Sequence, residues 1–144
     1  RRISIYSAPG LDNFIFSERR KERFEKDVSY ARRMRAPGKA RKNIAAVRHA
    51  AGAGDAVKFY DAVFLTLKEY LGDKFHLASA GITSNVVDAL GGRGIDREIL
   101  QGLRECFRSC DAARYATASV TKKDMESTLK LLEKTIDAIE RMRS

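Results

Sequence analysis

The sequence has no tryptophan, only two prolines, two cysteines and two histidines, and no long apolar run. Few prolines and many Ala, Leu, Lys, Glu and Arg residues favour helix. No segment approaches the roughly 20 apolar residues that a spanning helix needs, and no signal-peptide core opens the chain. The 144 residues are the size of one domain, which buries about two thirds of its unfolded surface without disulfides or metal.

The two cysteines are predicted to be reduced. Cys106 and Cys110 are four residues apart in one predicted helix, where an intrahelical disulfide has poor geometry. Reduced thiols fit a cytosolic compartment. Because the chain begins at Arg1 and not at methionine, we expect it to be part of a longer protein, whose other parts could include a spanning helix.

Positive charge is concentrated in the first third of the chain. Residues 1–48 contain 14 Lys and Arg against 5 Asp and Glu, whereas residues 49–144 contain 14 of each. The whole net charge of +9 therefore belongs to the first third. This asymmetry predicts an electrostatic arm attached to a neutral domain, and it argues against a fold that is basic throughout.

Hydrophobic periodicity predicts an all-α fold, a single compact domain of about six helices preceded by an extended N-terminal arm. The arm covers residues 1–17, and a helical domain covers 18–144. Two basic helices are predicted within 18–51, separated at Pro37 and Gly38, which usually end a helix.

The arm contains several apolar residues without a helical period, which either pack on the domain or lie near a lipid interface. They are Ile3, Ile5, Tyr6, Phe14, Ile15 and Phe16.

The neutral helical body is predicted over residues 55–144. Its strongest core helix runs from Asp55 to Leu71, where apolar residues recur at spacings of three and four. Thr121 and Asp124 resemble a capping box before a long final amphipathic helix. No segment shows the sustained period-2 alternation of a strand.

No motif predicts an enzyme, a cofactor or a metal site. The glycines of LGGRGID follow no strand and lack the Gly-Lys-Ser/Thr step of a phosphate loop. Zinc needs four ligands, and His49 and His76 lie far in sequence from the two cysteines. A Cys/His nucleophilic pair is equally unsupported, because His49 lies on a predicted basic helix and His76 in a predicted loop. The helix predicted over 96–110 mixes arginines with carboxylates, which is unfavourable for reading DNA.

The basic first third has three possible partners: nucleic acid, an acidic protein or a membrane surface. Clustered cations bind any polyanion at low salt. The segment lacks the aromatic platform that single-strand binders use, so nucleic acid is the less favoured partner.

The chain resembles a known family from about residue 18 to its end. The pieces that carry the resemblance are FYDAVFLTLKEYL, LASAGIT and CDAARYA, in that order, preceded by the basic stretch RRKERFEKDVSYARRMRAPGKARK. They are similar to the C-terminal cytoplasmic domain of BatD proteins, the bacterial oxygen tolerance or aerotolerance family. Residues 1–17 match nothing in that pattern.

The resemblance implies a helical domain on the cytoplasmic side of the bacterial inner membrane, in a longer single-pass protein. It also implies protein partners, namely von Willebrand A-domain proteins and MoxR-type AAA+ ATPases, and it carries over no catalytic residue. Cations beside a spanning helix set its orientation, and each contributes about 1 kcal/mol near an anionic leaflet.

We therefore predict a non-enzymatic interaction or scaffold domain, with a basic nucleic-acid-binding protein as the alternative. The predicted contacts to a membrane surface or a partner are Arg19, Arg20, Lys21, Arg23, Arg32, Arg33 and Arg35. A second set, predicted as a docking or structural cluster, is Tyr70, Asp111, Arg114 and Tyr115.

Overall fold

A computed structural model describes the backbone of residues 4–142 and the side chains of residues 14–142. Within those residues the fold is all-α, as predicted, with five helices, two short 3-10 turns and no strand. The helices are α1 (Ser4–Ala53), α2 (Ala56–Phe75), α3 (Val86–Gly91), α4 (Arg97–Tyr115) and α5 (Lys122–Glu140). The 3-10 turns are Ser79–Gly81, after α2, and Thr117–Ser119, after α4.

The prediction of six helices is wrong because the two basic helices are one. Helix α1 continues through Pro37 and Gly38 without interruption. Ala36 and Ala40, on either side of that pair, are buried against the body. Packing of this face holds the helix together where local propensity predicts an end.

The predicted extended arm is wrong wherever the structure describes it, because residues 4–17 belong to α1. These residues have no helical period, so the sequence offered no amphipathic signal. A helix that is already formed gains one hydrogen bond for each residue it adds. The docked part of α1 can therefore propagate helix upstream without burying a face there.

Helix α2 is the centre of the core, and it packs against α1, α4 and α5. The predicted periodic helix is confirmed, and of the apolar residues that predicted its core face only Val57 is exposed. Val57 is 59% exposed, whereas Phe59, Val63 and Leu67 are fully buried. Helix α5 begins with the predicted capping box: Thr121 Oγ1 accepts from the Asp124 N–H at 3.0 Å, and Asp124 Oδ2 accepts from the Thr121 N–H at 2.9 Å.

The crossing of α4 and α5 depends on the absence of a side chain at Gly102. A Cβ at this position would lie 2.4 Å from Thr135 Oγ1, and both residues are buried. We expect Gly102→Ala to lower the free energy of unfolding by about 1–3 kcal/mol, the usual range for overpacking. Urea unfolding measures this loss.

Removing the opposing side chain should reverse the effect. In a Thr135→Ala background, Gly102→Ala should be neutral or stabilising, because alanine is favoured over glycine in a helix by about 1 kcal/mol. If the two substitutions lowered stability additively, the contact between Gly102 and Thr135 would not be the cause.

Candidate functional site

The first half of α1 projects from the body of the domain. Nearly every described side chain from residue 14 to residue 27 is exposed, and regular burial begins only at residue 28. At 1.5 Å per residue, helical residues 4–27 extend for about 36 Å. Phe14 and Phe16 are 62% and 61% exposed, so the option that they pack on the domain is wrong. The side chains of Ile3, Ile5 and Tyr6 lie outside the described residues.

The predicted contact residues divide between this projecting half and the docked half. Arg19, Arg20 and Arg23 are exposed and take part in none of the ion pairs among the described side chains. Lys21 lies 3.8 Å from Glu18 on the same helix, a surface pair that contributes little. The four residues are therefore available to an external anion.

Two of the other predicted contacts, Arg32 and Arg35, face a buried carboxylate on α2. Asp73 is only 5% exposed. Its Oδ1 lies 3.0 Å from Arg32 Nε and 3.9 Å from Arg35 Nη2, and its Oδ2 lies 3.4 Å from Lys39 Nζ. Several cations around one carboxylate offset the cost of removing its charge from water. We call Asp73 and these three cations the Asp73 socket.

Arg32 makes further bonds at the C-terminal end of α2. Its Nη2 donates to the carbonyl of Leu77 at 2.8 Å, and its Nη1 donates to His76 Nδ1 at 3.0 Å. Because Arg32 only donates, the proton of neutral His76 lies on Nε2, which donates to Glu25 Oε2 at 3.1 Å. The guanidinium also lies close to the backbone of α2, because a Cβ added at Gly72 would lie 3.2 Å from Arg32 Nη2. The guanidinium thus fastens α1 to α2, a cross-helix role that sequence reasoning missed.

The second predicted cluster is not brought together. Tyr70 is 1% exposed, and its hydroxyl donates a hydrogen bond to Glu140 of α5. Burial, followed by this bond, raises the pKa of Tyr70. Arg114 lies over the ring of Phe64 at 5.4 Å, and the neighbouring Tyr115 is 91% exposed. Asp111, 3.9 Å from Arg114, completes a separate exposed group at the end of α4.

The two cysteines are free and lie on the buried face of α4. Burial raises the pKa of Cys106 and of Cys110 to about 12. Cys110 Sγ also lies 3.8 Å from the carbonyl of Tyr60. Protonated, inaccessible thiols of this kind are poor nucleophiles and poor metal ligands. Among the described residues, no group of three or more His, Cys, Asp or Glu side chains is placed to hold a metal ion.

These thiols predict that stability falls in alkaline solution. Above the ordinary thiol pKa of 9.0, the unfolded chain releases both protons while the folded chain retains them. The free energy of unfolding should then fall by about 1.4 kcal/mol per pH unit for each thiol, between about pH 9 and pH 12. Urea titrations from pH 8 to pH 10 measure the slope, below the range in which the raised pKa of Tyr70 adds to the loss. The matched variant Cys106→Ala/Cys110→Ala should flatten it, and an unchanged slope would assign the loss to other groups.

Comparison of the chain with protein-family models, curated proteins and solved structures gives no match. None of the described helices is both long enough and apolar enough to cross a membrane. Over the residues that the structure describes, the fold and surface define a class, an all-α domain whose first helix packs in the core with its second half and projects from it with its first half. The function of such a domain must be argued from its exposed surfaces.

Proposed function

We propose that this chain is a non-enzymatic docking domain on the cytoplasmic side of a bacterial inner-membrane protein similar to the BatD family. The projecting half of α1 faces the anionic leaflet. The helical body docks a protein partner, such as a von Willebrand A-domain protein or a MoxR-type AAA+ ATPase. Sequence resemblance is the source of these named partners and of the cellular location.

One observation carries the membrane-facing part of the proposal: α1 presents cations and large aromatic side chains together, away from the core. Arg19, Arg20 and Arg23 are exposed, and Phe16 and Phe24 are 61% and 65% exposed on the same segment. Cations attract anionic head groups, and aromatic rings favour the boundary between head groups and acyl chains. Exposed aromatic rings on a helix with no intramolecular partner otherwise carry a risk of aggregation.

Vesicle co-sedimentation tests this part. The native chain should bind vesicles that contain phosphatidylserine, and it should bind neutral phosphatidylcholine vesicles weakly. An arm variant, in which Arg19, Arg20, Lys21 and Arg23 become Glu, should lose about a thousand-fold in affinity, at about 1 kcal/mol for each cation lost. A matched body variant should bind as the native chain does. It replaces four exposed lysines of the body by Glu, namely Lys58, Lys123, Lys130 and Lys134. Equal losses in both variants would contradict a membrane-facing α1.

A pull-down from a bacterial membrane extract at physiological salt tests the docking part. Recovery of an A-domain protein or an AAA+ ATPase by the native chain and by the arm variant would support a docking body that is separate from the membrane-facing helix. Recovery of nucleic acid alone, by the native chain and not by the arm variant, would overturn the proposal in favour of the nucleic-acid alternative.

A further inference from the structure

A cleft of about 640 Å³ lies where the middle of α1 meets the ends of α2 and α5 and the turn that precedes α4. We call it the basic cleft. Its volume is within the usual range of binding sites in proteins. Seven of its twelve lining residues are apolar or aromatic: Tyr30, Met34, Pro37, Phe75, Ile95, Ile139 and Met142.

The charged residues of the basic cleft leave an excess of positive charge. Its cations are Arg33, Lys74 and Arg93, and its one carboxylate is Glu140. Glu140 is already engaged, because Lys74 Nζ lies 3.1 Å from its Oε2 and the Tyr70 hydroxyl donates to it. Arg33 and Arg93 therefore face the cleft without a compensating carboxylate.

Both arginines are positioned by contacts that leave their charge free. Arg33 lies beside the ring of Tyr30, with its Cζ 5.9 Å from the ring centroid. Arg93 donates from Nη1 to the carbonyl of Phe75 at 3.0 Å. An arginine has five N–H donors, so each retains donors for an incoming carboxylate. A bidentate bond to a carboxylate is the interaction that such a guanidinium favours.

The excess of positive charge is a local property of this cleft. A second cleft, of about 630 Å³, lies between α4 and α5 and shares Met142 with the first. Its charged residues are three carboxylates and two cations: Asp96, Glu98, Glu105, Lys134 and Arg141. An acidic ligand would therefore be directed to the basic cleft and not to its neighbour.

Apolar side chains that remain wholly or partly exposed line the basic cleft. Met34 and Tyr30 are 61% and 57% exposed on α1. Phe75, Ile95 and Met142 are partly buried on the facing wall. Methionine adapts its shape to different partners. Adaptable apolar walls between two free arginines suit a ligand that carries both carboxylates and apolar side chains.

The face of α1 that lines the cleft extends beyond it toward the projecting half of the helix. Lys26, Tyr30, Arg33 and Pro37 follow one another at spacings of four, three and four residues, so they share a face of the helix. The same spacing forms the seam of a coiled coil. Lys26 is exposed and adds a cation on this face, beyond the residues that line the cleft. A helical ligand could therefore lie against α1 over about 16 Å, at 1.5 Å per residue.

We propose that the basic cleft binds an acidic amphipathic helix of a protein partner. Carboxylates of that helix bond Arg33, Arg93 and Lys26, and its apolar side chains pack between Met34 and Met142. The inference rests on the proposed docking function and specifies the partner's chemistry. A second copy of this chain is a poor occupant, because the same cleft of another copy would bring arginines against arginines.

Synthetic peptides test the basic cleft directly. The probe is an amphipathic peptide of about 18 residues, five helical turns, with glutamates along one edge and leucines along its apolar face. Addition of this peptide should shift the methyl NMR signals of Met34, Met142, Ile95 and Ile139. A peptide of the same composition in scrambled order, and one with lysine in place of glutamate, should produce at least tenfold weaker binding.

The matched variants are Arg33→Glu/Arg93→Glu, in the cleft, and Lys123→Glu/Lys130→Glu, on exposed positions of α5. The cleft variant should weaken peptide binding at least tenfold, while the α5 variant should bind as the native chain does. Equal binding by the scrambled peptide, equal losses in both variants, or methyl shifts confined to other residues would overturn the inference. The inference would also be overturned if phosphatidylserine vesicles shifted the same methyl signals and the peptide did not displace them.

The same variants separate failure of this inference from failure of the docking function. In the membrane-extract pull-down, the cleft variant should lose the partner that the native chain retains, and its vesicle binding should stay well above that of the arm variant. If the cleft variant retained the partner, the cleft assignment would be wrong and the docking function would stand. If the native chain recovered no protein partner, the docking function itself would fail, whatever the peptide result.

Discussion

Asp73→Ala is expected to lower the free energy of unfolding by about 3 kcal/mol, because breaking a buried charge pair costs about 3–5 kcal/mol. Asp73 is 5% exposed and has Arg32, Arg35 and Lys39 within 4 Å. Without it the partly buried Arg32 guanidinium, held by α2, has no counter-charge. We set the expectation at the lower end of the range because Arg35 and Lys39 are exposed enough to return to water.

Urea unfolding measures the change, and hydrogen exchange locates it. Amides of α1 from residue 28 to residue 39 should lose protection first, since the Asp73 socket fastens that segment. Asp73→Asn keeps the shape of the side chain and one acceptor, so it should show an intermediate loss. The control is Asp137→Ala, which removes an exposed pair with Arg141 and should cost less than about 1 kcal/mol. A loss at Asp73 as small as that of the control would mean that the socket does not hold α1.

Pro37→Ala is expected to raise the free energy of unfolding by about 2 kcal/mol. Pro37 lies inside α1, where it has no N–H to donate to the carbonyl of Arg33 and its ring crowds that carbonyl. Alanine restores the hydrogen bond, and it is favoured over proline in a helix interior by about 3 kcal/mol. We reduce the figure because Pro37 is partly buried and alanine loses some of that contact. Thermal and urea unfolding measure the gain.

The neighbouring glycine provides the control. A Cβ at Gly38 would meet only Arg41 Nη2, at 3.9 Å, so Gly38→Ala should stabilise by about 1 kcal/mol through helix propensity alone. A Pro37→Ala variant that is less stable than the native chain would show that the ring of Pro37 is needed where it lines the basic cleft and another cleft, between α1 and α5. Peptide binding by that variant would then report on the shape of the basic cleft.

The candidate site could be predicted only in part. Sequence reasoning named Arg33, because it lies in the basic run, and it assigned Arg32 and Arg35 to external contacts. Arg93 and Lys74 come from other helices or turns, and nothing near them in sequence shows that they meet α1. Asp73 lies two residues beyond the end of the predicted core helix at Leu71, so its position in the sequence did not predict a place on a buried helical face.

What the sequence by itself determined is the part of this protein that local chemistry controls. The helical class, the core helix α2, the capping box at Thr121 and the concentration of charge in the first third all follow from spacing and composition. The tertiary structure decided the continuity of α1 through Pro37, the Asp73 socket and the basic cleft. Each depends on contacts between residues distant in the chain, such as Ala36 buried against the body and Arg32 bonded to α2. Packing energy shared among helices outweighs the local preference of a single proline.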